Sequence, residues 1–184
     1  MVWAKFEREM KRPPLVIIFI AILLIALAET GGVAMSKLRP QIAQYAEAKI
    51  RQAPGTHGLA GSAEYDTEVI GRTIFTIESG LSFFHTHGEG MGVVVLLAST
   101  LVASLVASAW WRRVLYVLFV ASALFPLGYL AYSAFVLWFG KDAGIELAER
   151  YVLIPFGSAA IVGLVLLAVS LLLGRAGRGQ TGTA

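Results

Sequence analysis

Four long apolar runs, separated by more polar segments, dominate the pattern of residues along this chain. They cover residues 14–35, 91–111, 114–139 and 152–174. Each run has about the length of ~20 residues that a helix needs to cross a bilayer core of about 30 Å. Lipid offers the backbone no hydrogen-bond partner, so such a segment is stable only as a helix. The pattern predicts an all-α integral membrane protein, with four transmembrane helices forming one bundle and one domain.

The more polar segment 36–90 has helical patterns of its own. Residues 38–53 place apolar side chains at helical spacing with charges opposite, which predicts an amphipathic helix on the membrane surface or against the spans. A loop rich in glycine follows. From residue 67 onward, apolar residues again recur three and four apart. We expect a second helix there, which runs toward the span 91–111 or continues into it.

Composition agrees with the membrane class, because 57% of the residues are hydrophobic and only 15% are charged. A typical soluble domain has about 25% charged residues. The chain has no cysteine, so it offers no disulfide, thiolate metal site, iron–sulfur cluster or covalent haem attachment. Its net charge of +3 is small and scattered, so no nucleic-acid partner is expected. The expected partners are the lipid bilayer and other membrane protein subunits.

The positions of the basic residues predict the orientation. They concentrate in the N-terminal tail, in the short link between the second and third spans, and in the C-terminal tail: Lys5, Arg8, Lys11, Arg12, Arg112, Arg113, Arg175 and Arg178. An even number of spans brings these three places to one side, which the positive-inside rule assigns to the cytoplasm. We therefore expect a bacterial-type plasma (inner) membrane protein with both termini cytoplasmic, and with 36–90 and 140–151 outside.

The first 28 residues also fit a second interpretation. A basic start, an apolar run and the sequence Ala-Leu-Ala before Glu29 have the form of a cleavable signal peptide. The apolar run resumes after Glu29 and Thr30 and reaches spanning length at Met35, which favours a retained span. The rest of the topology is the same in both cases.

Candidate chemistry lies where the segment 36–90 meets the second span. His85, His87 and Glu89 lie together there. In a continuous helix, Glu78, His85 and Glu89 share a stripe and His87 points to the opposite side. If 84–90 is extended instead, as its glycines permit, His85, His87 and Glu89 share one face. Both backbones group a histidine with a carboxylate, which predicts a ligand set.

Glu29 is expected to join this set. It lies near the outer end of the first span, among small residues that allow close approach of another helix, and Gly88-x-x-x-Gly92 forms such a face on the second span. Ionisable groups at membrane depth are costly and are functional candidates by default. Met35 and Met91 lie at the same level and could supply thioether sulfur.

The expected cofactor follows from these ligand types. Imidazole with carboxylate suits copper, zinc or iron, and thioether sulfur shifts the preference toward copper(I). Haem b would need a second axial ligand from a methionine or a partner subunit, because no other span carries a histidine. His57, in the glycine-rich loop, is expected to be solvated.

The sequence thus predicts a metal- or haem-binding subunit of a larger membrane complex, with a redox or metal-handling role. Two other interpretations remain open. One is a structural or assembly subunit whose small-residue faces dock partner helices. The other is a membrane enzyme that uses glutamate and histidine as acid and base on a lipid or a quinone.

Overall fold

A computed structural model describes the backbone of residues 10–179 and the side chains of residues 10–173. Helices and turns make up this part of the chain, with no strand in it. Six α-helices follow one another, with a π-helical turn at Glu149–Leu153: α1 Leu15–Gln52, α2 Ala63–Leu105, α3 Ala109–Ser122, α4 Leu127–Phe139, α5 Lys141–Ala148 and α6 Ile154–Gly179.

Four helical stretches in the described chain are long and apolar enough to cross a membrane. They are Leu15–Gln52, Ala63–Leu105, Ala109–Phe139 and Lys141–Leu173. The predicted all-α class with four long apolar helices is thereby confirmed.

Helices α1 and α2 form a long antiparallel hairpin. They contain 38 and 43 residues. At about 1.5 Å per residue each is therefore about 60 Å long, twice the thickness of a bilayer core. The segment 38–53, predicted as an amphipathic helix, is the C-terminal part of α1, which is continuous through Pro40 and ends at Gln52. It packs against α2, one of the two predicted arrangements. Likewise, the helix predicted from residue 67 continues into the second span.

Small residues let the two long helices approach each other closely. A Cβ atom added at Gly88 would lie 2.5 Å from the Cβ of Ala28. At Gly92 it would lie 2.4 Å from Cγ1 of Ile25 and 2.9 Å from the carbonyl oxygen of Ala21. Both glycines are buried in the structure. The pair of glycines four residues apart thus forms the close contact with α1 that the sequence indicated.

The apolar core lies in the half of the bundle nearest the start of α1. Its buried members come from α1, from α2 and α3 with the residue that follows each, and from one position of α6: Ile17, Ala21, Leu24, Val95, Ala98, Val102, Val106, Leu115, Phe119, Ala123 and Leu167. A smaller cluster of Ala46, Ile77 and Val136 joins α1, α2 and α4 near the other end. Helix α6 packs along α3 and leaves most of its apolar surface exposed.

The link between the second and third apolar helices differs from the expected one. Helix α2 ends at Leu105 and α3 begins at Ala109, so residues 106–108 form the link and Arg112 lies inside α3. The side chain of Ser108 accepts a hydrogen bond from the backbone N–H of Trp111 at 3.5 Å. Serine is a preferred N-cap because it satisfies an orphan donor of the first turn. The continuous apolar pattern concealed this helix start.

Two prolines shape the remaining spans. The third apolar stretch breaks into turns at 123–126, and Pro126 is the N-cap of α4. Proline interrupts a helix because it lacks a backbone N–H and its ring clashes with the preceding turn. The fourth stretch begins upstream of Pro155, as α5 and the π-helical turn Glu149–Leu153. Pro155 lacks an N–H and its ring crowds the preceding turn, which a locally widened π-helical turn relieves.

Candidate metal site

The histidine stretch is helical throughout, because α2 runs without a break from Ala63 to Leu105. The extended alternative for 84–90 does not occur. His85 and Glu89 therefore share one face of α2, four residues apart, and His87 lies on another face. The helical version of the sequence hypothesis is the one that the structure shows.

Glu29, His85 and Glu89 come together at the contact between α1 and α2. One ligand atom from each lies within 4.8 Å of the other two. The His85 side chain is 31% exposed and that of Glu89 is 37% exposed, so the cluster is not enclosed within the protein. Glu29 is 14 residues into α1, about 21 Å along its axis from Leu15.

The imidazole of His85 is held in one orientation by α1. Its Nδ1 lies 3.0 Å from the carbonyl oxygen of Ala28 and 3.2 Å from Oε1 of Glu89. A carbonyl oxygen can only accept a hydrogen bond, so Nδ1 carries a proton, and in the neutral ring Nε2 then carries the lone pair. Histidines that bind metals characteristically donate their other N–H to a carbonyl or a carboxylate. His85 has this arrangement.

Gly32 makes room for the ring. A Cβ atom added there would lie 2.6 Å from Cε1, 2.7 Å from Nδ1 and 2.8 Å from Nε2 of His85. Any larger residue at this position of α1 would displace the imidazole from the Ala28 carbonyl. The small residues around Glu29 predicted a close helix contact, but the sequence did not indicate that Gly32 would contact the histidine.

Glu78, a candidate ligand, is engaged elsewhere. Its Oε2 accepts hydrogen bonds from Nη2 of Arg39 at 2.8 Å and from Nε at 3.1 Å. The carboxylate is 12% exposed while Arg39 is 65% exposed. This ion pair lies two turns outward from the cluster, at the rim of a cleft of about 520 Å³ between α1 and α2 that His85 also lines. The pairing of Arg39 with Glu78 depends on the register of α1 against α2, which cannot be read from the sequence alone.

His87 occupies an aromatic environment on the side of α4. Its ring centroid lies 4.8 Å from that of Tyr129, 5.7 Å from Phe125 and 5.9 Å from Phe83. Its Nδ1 is 3.0 Å from the carbonyl oxygen of Phe83, one turn back on α2. His85 and His87 thus face different parts of the bundle and do not form one ligand pair.

The two candidate methionines also separate. Met35 lines the polar cleft together with His85. Met91 packs against the apolar core between the helices. Only Met35 is therefore placed to bring a thioether toward the cluster.

His57 corrects an expectation, because it is buried rather than solvated, with 8% of the residue exposed. The loop that carries it packs on the junction of α4 and α5, where a Cβ atom at Gly140 would lie 2.4 Å from the carbonyl oxygen of Thr56. Burial lowers the pKa of His57, and a hydrogen bond to the backbone of Leu137 opposes that shift. The Nδ1 atom has no hydrogen-bond partner among the described residues.

Comparison with known proteins yields no relative. No family model, no curated protein and no solved structure matches the chain. The class that the structure defines is an all-helical protein with four apolar helices, in which the two longest helices share a cluster of one histidine and two glutamates.

Proposed function

We propose that this chain is a multi-pass protein of a bacterial-type plasma (inner) membrane that binds a transition metal ion outside the cytoplasm. Its role would be that of a metal-handling subunit in a larger membrane complex. The observation that carries this proposal is the cluster of Glu29, His85 and Glu89, with ligand atoms within 4.8 Å of one another. Three ionisable side chains on two apolar helices are costly to place there without a partner.

The ligand types favour zinc or iron(II) as the bound ion. One imidazole and two carboxylates suit these borderline metals, whereas copper(I) prefers sulfur, and the cluster itself contains none. Met35 lines the adjoining cleft and could supply a thioether sulfur, so copper is included among the ions to be tested. Haem b has less support, because His87 lies among aromatic rings instead of opposite His85.

The proposed orientation is supported by basic residues that lie together at one end of the hairpin. Lys11 and Arg12 lie where α1 begins, and Arg112 lies in the first turns of α3 at the same end. The cluster lies toward the opposite end of the apolar part of α1. If the basic end is cytoplasmic, the metal site faces the extracytoplasmic side.

Metal analysis of the purified full-length protein tests the proposal. Protein prepared without a histidine tag or chelator should contain about one equivalent of zinc or iron, or bind it on titration. His85→Ala and Glu29→Gln should abolish or strongly reduce binding. His87→Ala and His57→Ala are matched controls, because neither residue belongs to the cluster, and both should keep the ion.

Equal occupancy in the wild type, His85→Ala and His87→Ala would contradict the metal proposal. A wild-type protein that binds none of zinc, iron or copper would do the same. The chain would then be better described as a structural or assembly subunit that presents its apolar helices to partners.

The pairing of His85 with Glu89 at 3.2 Å beside an open cleft supports a second candidate. A histidine oriented by a carboxylate can act as a general base through Nε2. The substrate would be a lipid or a quinone with its reactive group at the outer interface. In that case His85→Ala would abolish turnover in a protein that binds no metal.

A further inference from the structure

The end of the bundle opposite the metal cluster holds a basic pocket. It has a volume of about 480 Å³ and is lined by Lys11, Arg12 and Arg112 together with Tyr116 and uncharged residues. No acidic side chain belongs to its lining in the described part of the chain. An anion of matching size would therefore meet three positive charges without a competing carboxylate in the pocket.

The backbone that carries two of these cations is fixed in place. The hydroxyl oxygen of Ser104, near the end of α2, accepts a hydrogen bond from the backbone N–H of Lys11 at 3.0 Å. The same hydroxyl lies 3.3 Å from the carbonyl oxygen of Lys11, to which it can donate. Pro13, the next residue but one, is buried. The segment before α1 is thus attached to α2, and the pocket is part of the fold rather than a property of a free tail.

An apolar groove continues directly from the basic pocket. It has a volume of about 680 Å³, lies between α1 and the α3–α4 region, and shares Pro14 and Tyr116 with the pocket. Its lining from Pro14 to Leu27 follows α1 for about 20 Å, which exceeds the thickness of about 15 Å of one hydrocarbon leaflet. All its other lining residues are apolar as well, apart from Tyr116.

From this continuity we propose that the joined pocket and groove bind one anionic diacyl phospholipid. Its phosphate lies among Lys11, Arg12 and Arg112, and an acyl chain lies along the groove between α1 and α3. Basic pockets between transmembrane helices are known sites for anionic headgroups. A partner helix would use the groove but would leave the three cations without a counterion among the described residues of the pocket. The charge complementarity therefore favours the lipid as occupant.

This proposal depends on insertion of the chain into a membrane and is independent of the metal cluster. The basic pocket and the metal cluster lie at opposite ends of the apolar part of α1, and the joined pocket and groove share no residue with the cluster. A metal-free protein could still bind the lipid, and a metal-binding protein could lack the lipid site. Their tests therefore fail separately.

Lipid titration of the purified full-length protein in detergent, followed by native mass spectrometry, tests the proposal. The probes are phosphatidylglycerol and phosphatidylcholine with identical acyl chains. Phosphatidylglycerol should bind more tightly, and Arg112→Gln should weaken it about five-fold, the equivalent of one cation near a headgroup. Arg113→Gln is the matched control, since this neighbouring arginine is exposed and does not line the pocket, and it should change the affinity less than two-fold, about the scatter expected for surface changes.

A second variant tests the acyl-chain part of the site. Ala121 lines the groove and is half-buried, so Ala121→Phe should fill the groove and weaken both lipids while the cations remain. Inorganic phosphate at matched ionic strength should not displace bound phosphatidylglycerol. Helical circular dichroism and the melting temperature of each variant establish that the fold is retained.

Four results would overturn the proposal. Equal affinity of the wild type for the two lipids would show that the anionic headgroup is not recognised. Equal losses of affinity in Arg112→Gln and Arg113→Gln would show that the phosphate does not lie in the pocket. Displacement by phosphate with no effect of Ala121→Phe would leave a plain anion site. A dimer that persists without lipid and is abolished by Ala121→Phe would assign the groove to a second copy of the chain.

Discussion

Replacing Gly92 by alanine should weaken the packing of α1 on α2, whereas the same replacement at Gly90 should not. The two positions are two residues apart on one helix, but their surroundings differ. A Cβ atom at Gly92 would lie 2.4 Å from Cγ1 of Ile25 and 2.9 Å from the carbonyl oxygen of Ala21. At Gly90 no atom lies within 4 Å. The pair therefore separates packing from backbone propensity.

The magnitude follows from these distances. Carbon atoms in good contact are about 3.5–4.0 Å apart, so the Ile25 side chain would have to move by more than 1 Å. The Ala21 carbonyl belongs to the backbone of α1 and can retreat only with the helix. Overpacking of this kind costs about 1–3 kcal/mol. Replacing glycine by alanine within a helix stabilises the helix by up to about 1 kcal/mol, and this gain applies at both positions. The difference in unfolding free energy between the two variants should therefore be about 1–3 kcal/mol.

Reversible unfolding in mixed micelles, with increasing fractions of a denaturing detergent and helical circular dichroism as readout, measures this difference. Gly90→Ala should match or exceed the wild type, and Gly92→Ala should fall below both. Separation of α1 from α2 gains no compensation in lipid, because the packing contacts themselves hold the helices together. Equal stabilities of the two alanine variants would refute the close-contact argument and would leave the glycines a purely conformational role.

Three further predictions concern the topology, the loop and the site. A reporter inserted at Gly61 should be extracytoplasmic and one fused after Ala184 cytoplasmic, and cytoplasmic activity at Gly61 would reverse the orientation. Because burial lowers the pKa of His57, the unfolded chain binds more protons below about pH 6.5. The contribution of neutral His57 to the unfolding free energy should be fully present above that pH and should be lost as the pH falls through the lowered pKa. Melting temperatures between pH 5 and 8 should therefore depend less on pH in His57→Gln than in the wild type. The same pH dependence in both proteins would contradict this prediction. Gly32→Ala should lower metal affinity about 10–100-fold by displacing His85, with no ligand removed and with Gly90→Ala as control; unchanged affinity would show that the orientation of the ring does not matter.

The long helices could be predicted from the sequence because their signals are local. Spanning length and helical spacing indicated both α1 and α2, but two of their features depend on contacts between helices. Pro40 did not end α1, because the helix is held by packing on both sides of it, with Ala28 and Ala46 buried against neighbouring helices. The start of α3 at Ala109 lay hidden in an uninterrupted apolar run, where Ser108 gave the only capping signal.

The candidate site was predictable to the extent that it depends on one helix. Spacing of four residues placed His85 beside Glu89, and small residues on both helices suggested that Glu29 would join them. The remaining contacts of the candidate ligands depend on the register of α1 against α2, which the sequence does not specify. That register pairs Glu78 with Arg39 and so removes Glu78 from the cluster.

The small residues between α1 and α2 contribute to the site through packing, whereas Glu29, His85 and Glu89 supply the ligand atoms. The close approach that glycines permit brings the backbone of α1 against α2, so that the Ala28 carbonyl can reach Nδ1 of His85. One turn farther along α1, Gly32 leaves the space that the imidazole fills. A larger residue at Gly32 or Gly88 would move the Glu29 carboxylate, which α1 carries, away from His85 and Glu89 on α2. The small-residue face therefore determines the geometry of the cluster as well as the stability of the helix pair, and a variant that loosens α1 from α2 should lose metal before it loses helix.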